Sequence, residues 1–149
     1  MPLALITGPT SGIGRAFATA LAAEHKDPVL VSRDETRLAE LARTLGMQYG
    51  VGCEVIVADL TDLEDTKRVE ARLAQEPFDV VVNNAGFGLN APFDRTDVED
   101  EQRSLDVLIR AVMRLSKAAL VPMQEAGRGE IINVSSVAGF LPRGTYAAS

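Results

Sequence analysis

The chain has 149 residues, 46% hydrophobic and 24% charged, which is enough to bury one core and too short for two ordinary domains. A net charge of -6 without a basic cluster argues against nucleic acid or an anionic membrane surface as the main partner. One cysteine, Cys53, and one histidine, His25, exclude an internal disulfide, multi-cysteine or histidine-pair metal sites and His-based triads, so no metal is expected. Leu3 to Thr7 (LALIT) is a continuous apolar run, as a strand buried on both faces requires. GIGRAFATALAAE follows as a helix, with Ile13, Phe17, Ala20 and Leu21 on one side. Pro28 to Ser32 (PVLVS) is the second strand. The second helix, DETRLAELARTLG, has Asp34 as its N-cap and Gly46 after its end. Cys53 to Asp59 is the third strand, and Thr61 or Asp62 opens the helix that follows. Phe78 to Asn83 is the fourth strand, a long helix spans about Asp97 to Glu125, and Glu130 to Ser135 is the fifth strand.

Five strands with a helix in each gap predict an α/β fold, a doubly wound parallel sheet of the Rossmann type with helices on both faces, in one domain over residues 1–149. Ligands bind such sheets beyond the carboxyl ends of the strands. The polar and glycine-rich signals fall there: Gly8 to Gly14, Ser32-Arg33, Asp59, Asn83 to Gly86 and Ser135-Ser136. No charged-then-apolar leader opens the chain, and no apolar run approaches the roughly 18 residues of a membrane span, so the expectation is a cytoplasmic protein without a membrane partner.

TGPTSGIG (Thr7 to Gly14) joins the first strand to the first helix. Its glycines permit a tight turn and close backbone approach, and the helix N-terminus offers N–H groups and partial positive charge to a phosphate. The spacing is G-x-x-x-G-x-G rather than G-x-G-x-x-G. A dinucleotide's adenosine ribose belongs at the tip of the second strand, where an acid favours a free 2′-OH and an Arg a 2′-phosphate. Arg33 stands at that tip, which points to NADP over NAD; a plain solvated arginine is the competing account. Asp59 either accepts from an adenine amino group or caps the next helix. Asn83 and Asn84 are poor strand continuation but can bind neighbouring backbone, while Ala85 and Gly86 leave room for a flat ligand.

TGPTSGIG, Asp59-Leu60, NNAG, IINVSS and the Tyr of GTYAAS together resemble the short-chain dehydrogenase/reductase family, in order and over essentially the whole chain. The resemblance implies a Rossmann-type oxidoreductase passing hydride between a nicotinamide cofactor and a small carbonyl or alcohol. It implies that Gly8, Gly12, Ile13 and Gly14, in the loop that also holds Ser11, contact the pyrophosphate. Asp59 and Leu60 would flank the adenine, Asn84, Ala85 and Gly86 would run along the cofactor, Ser136 would orient substrate and Tyr146 would be the general acid/base. A Lys four residues after the Tyr, one helical turn on, lowers the phenol pKa in that family.

Three departures qualify the resemblance. The family Lys falls one position beyond Ser149, so the expectation is an N-terminal portion with little turnover alone. Without that ammonium, on the order of one phenol in a thousand ionises at pH 7. Leu108, in LDVLIRA, stands where the family has a catalytic Asn; Leu105, Leu108, Val112, Leu115 and Ala119 read as an uninterrupted apolar stripe with no helix irregularity. Ser136 and Tyr146 are also closer in sequence than is usual in the family, requiring a tight FLPRG loop. The competing function is a nucleotide-binding or interaction module without catalysis. A methyltransferase on a related sheet is disfavoured by Arg33, since an acid is wanted there. Phe87, Leu89, Phe93, Phe140 and Leu141 hint at an apolar substrate. The resemblance implies that the long helix can pair between subunits in a homo-oligomer, and the exposed stripe agrees.

Overall fold

The computed structural model describes residues 2–140. The five apolar stretches form β1 (Leu3–Thr7), β2 (Asp27–Ser32), β3 (Glu54–Val57), β4 (Val80–Asn83) and β5 (Glu130–Asn133). They make one sheet in the order β3-β2-β1-β4-β5, and every neighbouring pair is parallel. This is the predicted α/β architecture. The two edge strands, β3 and β5, are only half-buried, whereas the four residues of β4 are all buried.

The strand period of two sorts the core into two layers. Ala4, Ile6, Leu30, Val80 and Val82 face α1 (Gly12–Ala23) and α2 (Glu35–Tyr49), which contribute Ala18, Leu21, Leu38, Leu41 and Leu45. Leu5, Val29, Val31 and Val81 face the other layer, built from α3 (Leu63–Leu73) and the long helical stretch after β4. Each fully buried aliphatic side chain there contributes about 1.5–3 kcal/mol.

Three helical expectations are corrected. The buried face of α1 is Gly14, Ala18, Leu21 and Ala22, and Ile13 is exposed. Gly14 faces inward where α1 starts directly against the β1–α1 turn, and Ala18, Leu21 and Ala22 pack on the sheet. Gly46 lies inside α2, whose Leu45 is buried; the helix closes instead at Gly50, at φ 68, whose N–H donates to the Gly46 carbonyl at 3.0 Å.

The long helix is also interrupted. It runs as α4 (Val98–Leu105), a π-helical segment (Asp106–Ala111) and α5 (Val112–Ala126). The wide turn shifts the inward register. Val107, Ala111, Leu115, Ala119 and Met123 are buried, while Leu105 is 41% exposed. The irregularity exists with Leu108 in place, because i→i+5 bonds keep the backbone satisfied within the helix without a polar side chain at that position.

Candidate functional site

Strand order runs outward from β1 to β2 on one side and from β1 to β4 on the other, which makes the β1/β4 seam the switch point. A cleft of about 570 Å³ opens there. The β1–α1 turn supplies Gly8, Ser11, Gly12 and Ile13 to its lining, the end of β2 supplies Arg33, the end of β3 supplies Asp59 and Leu60, and the end of β4 supplies Asn84, Ala85 and Gly86. Those residues are the ones the sequence singled out for a cofactor, apart from Gly14, which lies beneath the turn.

The floor is built by close approach. Gly8 sits at φ 65, and a Cβ on it would come within 3.0 Å of the Ala85 Cα. Gly12, at φ 52, faces open space. A Cβ on Gly14 would lie 2.2 Å from the Gly8 carbonyl oxygen and 2.4 Å from Asn84 Nδ2. The Asn84 side chain donates to the Thr7 and Gly8 carbonyls at 3.1 and 3.0 Å, and the amides of Asn84 and Ala85 both donate to Thr7 Oγ1 at 3.0 and 2.9 Å. Asn83 is buried and ties β4 onward, donating to Asn133 Oδ1 at 2.8 Å and Ser116 Oγ at 3.0 Å. At the start of α1, Ser11 makes no side-chain cap, so the first-turn N–H groups have no side-chain acceptor.

On the opposite wall Asp59 Oδ1 accepts from the amide and hydroxyl of Thr61 at 2.9 and 2.8 Å. Asp62, not Asp59, caps α3, accepting from the Asp65 amide. The Asp59 amide donates to Asp65 Oδ2 at 2.8 Å, and that bond together with Arg68 holds the Asp65 carboxyl below its ordinary pKa. Arg33 is 71% exposed at its side chain and stands 3.9 Å from Asp59 Oδ2.

Ser136 is exposed, and its Oγ accepts from the Ala138 amide at 3.1 Å; it does not line the cleft. Tyr146 and Leu141 lie outside the described residues. Of the other flanking apolar residues, Phe87 lines the cleft, Leu89 is half-buried, and Phe93 and Phe140 are 63% and 90% exposed.

Sequence reasoning missed Thr7, Thr61 and Val107. Thr7 carried a signal, being the single polar residue of an apolar strand, at its carboxyl end. Val107 carried none, since its inward position depends on the π-helical shift. Among the described residues no helix is long and apolar enough to cross a membrane.

The profile of the short chain dehydrogenase family matches residues 2–149. A very-long-chain 3-oxoacyl-CoA reductase of Anas platyrhynchos is 37% identical over 93% of this chain and 46% of the relative. The bulky-bulky ketone specific alcohol dehydrogenase from Comamonas testosteroni superposes with a TM-score of 0.94 at 35% identity, over 99% of this chain and 60% of that one. A short-chain dehydrogenase from Sphingobium yanoikuyae in complex with NADPH gives 0.94 at 36% identity, over 99% and 58%. The chain thus spans about half to three-fifths of the length of these proteins. With its glycine-floored cleft at the switch point of a parallel sheet, this chain belongs to the short-chain dehydrogenase family of oxidoreductases.

Proposed function

We propose that the cleft holds NADP(H) and that the chain belongs to an oxidoreductase passing hydride between the nicotinamide and a small carbonyl or alcohol. The observation that carries the reading is the glycine floor: Gly8 and Gly12 hold positive φ, which residues with side chains rarely adopt, beside uncapped N–H groups at the start of α1. The residues present fit a dinucleotide. When bound, it supplies the site of hydride gain or loss.

The chain's own residues supply binding and proton handling. The N–H groups of Gly12 and Ile13 meet the pyrophosphate, Asn84 holds the floor rigid, and Gly86, with no side chain, lines the cleft beside it. Ser136 Oγ, already accepting from Ala138, keeps its hydroxyl hydrogen to donate to a substrate carbonyl oxygen, at which Tyr146 delivers or takes the proton. Arg33, solvated and loosely paired, is free to meet a 2′-phosphate, and the neighbour solved with NADPH agrees with that choice. Arg33→Ala should raise the Kd for NADPH by about tenfold or more while changing that for NADH about twofold or less, measured by fluorescence titration. Binding of neither cofactor to the unaltered chain overturns the reading; cofactor oxidation against a panel of ketones tests the hydride step.

The long helical stretch also presents Leu105, Ile109, Met113 and Leu120, each 41–60% exposed, along one outer stripe. This supports self-association through that helix. Ile109→Glu with Met113→Glu should lower the molar mass found by light scattering to that of one chain; an unchanged mass assigns the contact elsewhere.

A further inference from the structure

The π-helical segment Asp106–Ala111 reaches both walls of the cleft. Val107 lines the cleft itself. With Val107 facing inward, Leu108 and Arg110 fall on opposite flanks of the helix. Leu108 Cδ2 would be 2.8 Å from a Cβ placed on Gly86, so it packs on the β4 side. Arg110 reaches the other side, where its guanidinium donates to the Thr61 carbonyl at 2.8 Å. Thr61 in turn supplies two of the hydrogen bonds to Asp59 Oδ1, and Asp59, Leu60 and Thr61 line the cleft.

Arg110 is itself held in place. Its Nη1 lies 2.8 Å from Asp106 Oδ1, one helical turn back, and that oxygen also accepts from Gln102 Nε2 at 3.0 Å. Asp106 is 8% exposed and the Arg110 side chain 29%, so this is a partly buried ion pair. The Arg110 Nε is buried with no partner of its own. Such an arrangement is costly to bury and gives little net stability. Its geometric product is one fixed carbonyl on the wall of the cleft, held by the Arg110 guanidinium.

We propose that Arg110, oriented by Asp106, is a positioning residue for the dinucleotide: it fixes the Asp59–Thr61 turn through the Thr61 carbonyl and so sets the shape of the adenosine wall. This rests on the cleft being the dinucleotide site. A planar guanidinium can serve Asp106 and the Thr61 carbonyl together in fixed directions, whereas an ammonium on a flexible stem does not reproduce that fork.

The test compares three variants of the 149-residue chain by thermal melting and by calorimetric titration with NADPH and with 2′,5′-ADP, which carries only the adenosine half. Arg110→Lys keeps a cation beside Asp106 and should raise both Kd values by about five- to tenfold, by the same factor for each ligand. Asp106→Asn removes the carboxylate but keeps a side-chain oxygen that can accept from Arg110, and should weaken both by a smaller factor. Arg114→Met breaks a comparable ion pair, to Glu70 of α3, away from the cleft; it should lower the melting temperature and leave both Kd values unchanged. If Arg110→Lys binds both ligands as tightly as the unaltered chain, or if Arg114→Met weakens them equally, the positioning role is wrong. If the unaltered chain binds neither ligand, it is the cofactor reading that fails. Should Arg110→Lys not fold, Asp106→Asn decides: unchanged binding overturns the proposal and weakened binding supports it.

Discussion

Replacing Gly14 by Ala is expected to collapse the cradle and abolish NADPH binding. The added methyl would sit 2.2 Å from the Gly8 carbonyl oxygen and 2.4 Å from Asn84 Nδ2, two atoms already hydrogen-bonded to each other at 3.0 Å. Neither is the free end of a flexible chain, so α1 must lift from β1 or the Asn84 tie must break. Helix propensity acts in the opposite direction, favouring Ala over Gly by about 1 kcal/mol. The overlap outweighs it. We expect a net loss of about 3 kcal/mol, a fall in Tm of roughly 6–12 °C for a chain of this size. Gly12→Ala is the informative companion, since nothing lies within 4 Å of its Cβ and only the φ of 52 penalises it. It should cost about 1–2 kcal/mol. Melting curves with and without NADPH decide; Gly14→Ala that melts within about 2 °C of the unaltered chain and still binds cofactor removes the close-approach argument.

Thr7→Val is expected to be nearly as damaging, although it conserves shape. Thr7 is 2% exposed, and its hydroxyl oxygen accepts from two backbone amides, Asn84 and Ala85. Valine leaves both part-buried donors without this acceptor, at about 1–3 kcal/mol each. Thr7→Ser keeps the acceptor and removes one methyl, at about 1 kcal/mol. Urea unfolding should therefore rank the stabilities Thr above Ser above Val, with a Val deficit of about 3 kcal/mol. Cofactor affinity should follow the same order, because the two amides fix Asn84 and Ala85 on the floor of the cleft. Equal losses for Ser and Val would mean that packing alone is at stake.

The layered sheet was legible because its signals are local. β1 occupies the residues that its apolar run marked, and Asp34 caps α2 by accepting from the Arg37 amide at 3.0 Å. The grouping of Gly8, Arg33, Asp59 and Gly86 around one cleft was legible from strand-end position alone. Features that depend on distant partners were not. Gly46 is a plausible helix stop in sequence, but buried Leu45 and half-buried Tyr49 carry α2 on to Gly50. The stripe through Leu105 and Leu108 follows a regular helix period, and the wide turn moved burial to Val107 and Ala111. Asp59 and Asp62 both read as caps; the choice fell to Asp62 because the Asp59 carboxylate is taken by Thr61.

The Thr7–Asn84 tie links residues 77 apart in sequence. Closing a loop of that length costs roughly 4 kcal/mol of chain entropy, by the (3/2)RT ln n rule. The other pairings are more local: Leu3 pairs with Asp27, Val29 with Glu54 and Val80 with Glu130. In folding terms the sheet is two halves, β1-β2-β3 and β4-β5, and the β1/β4 seam is the most expensive junction to make. The cleft lies on that seam, with Gly8 and Arg33 on one half and Asn84 and Gly86 on the other. Any ligand seated across it staples the halves together, so occupancy of the cleft slows their separation and resistance to proteolysis rises with it.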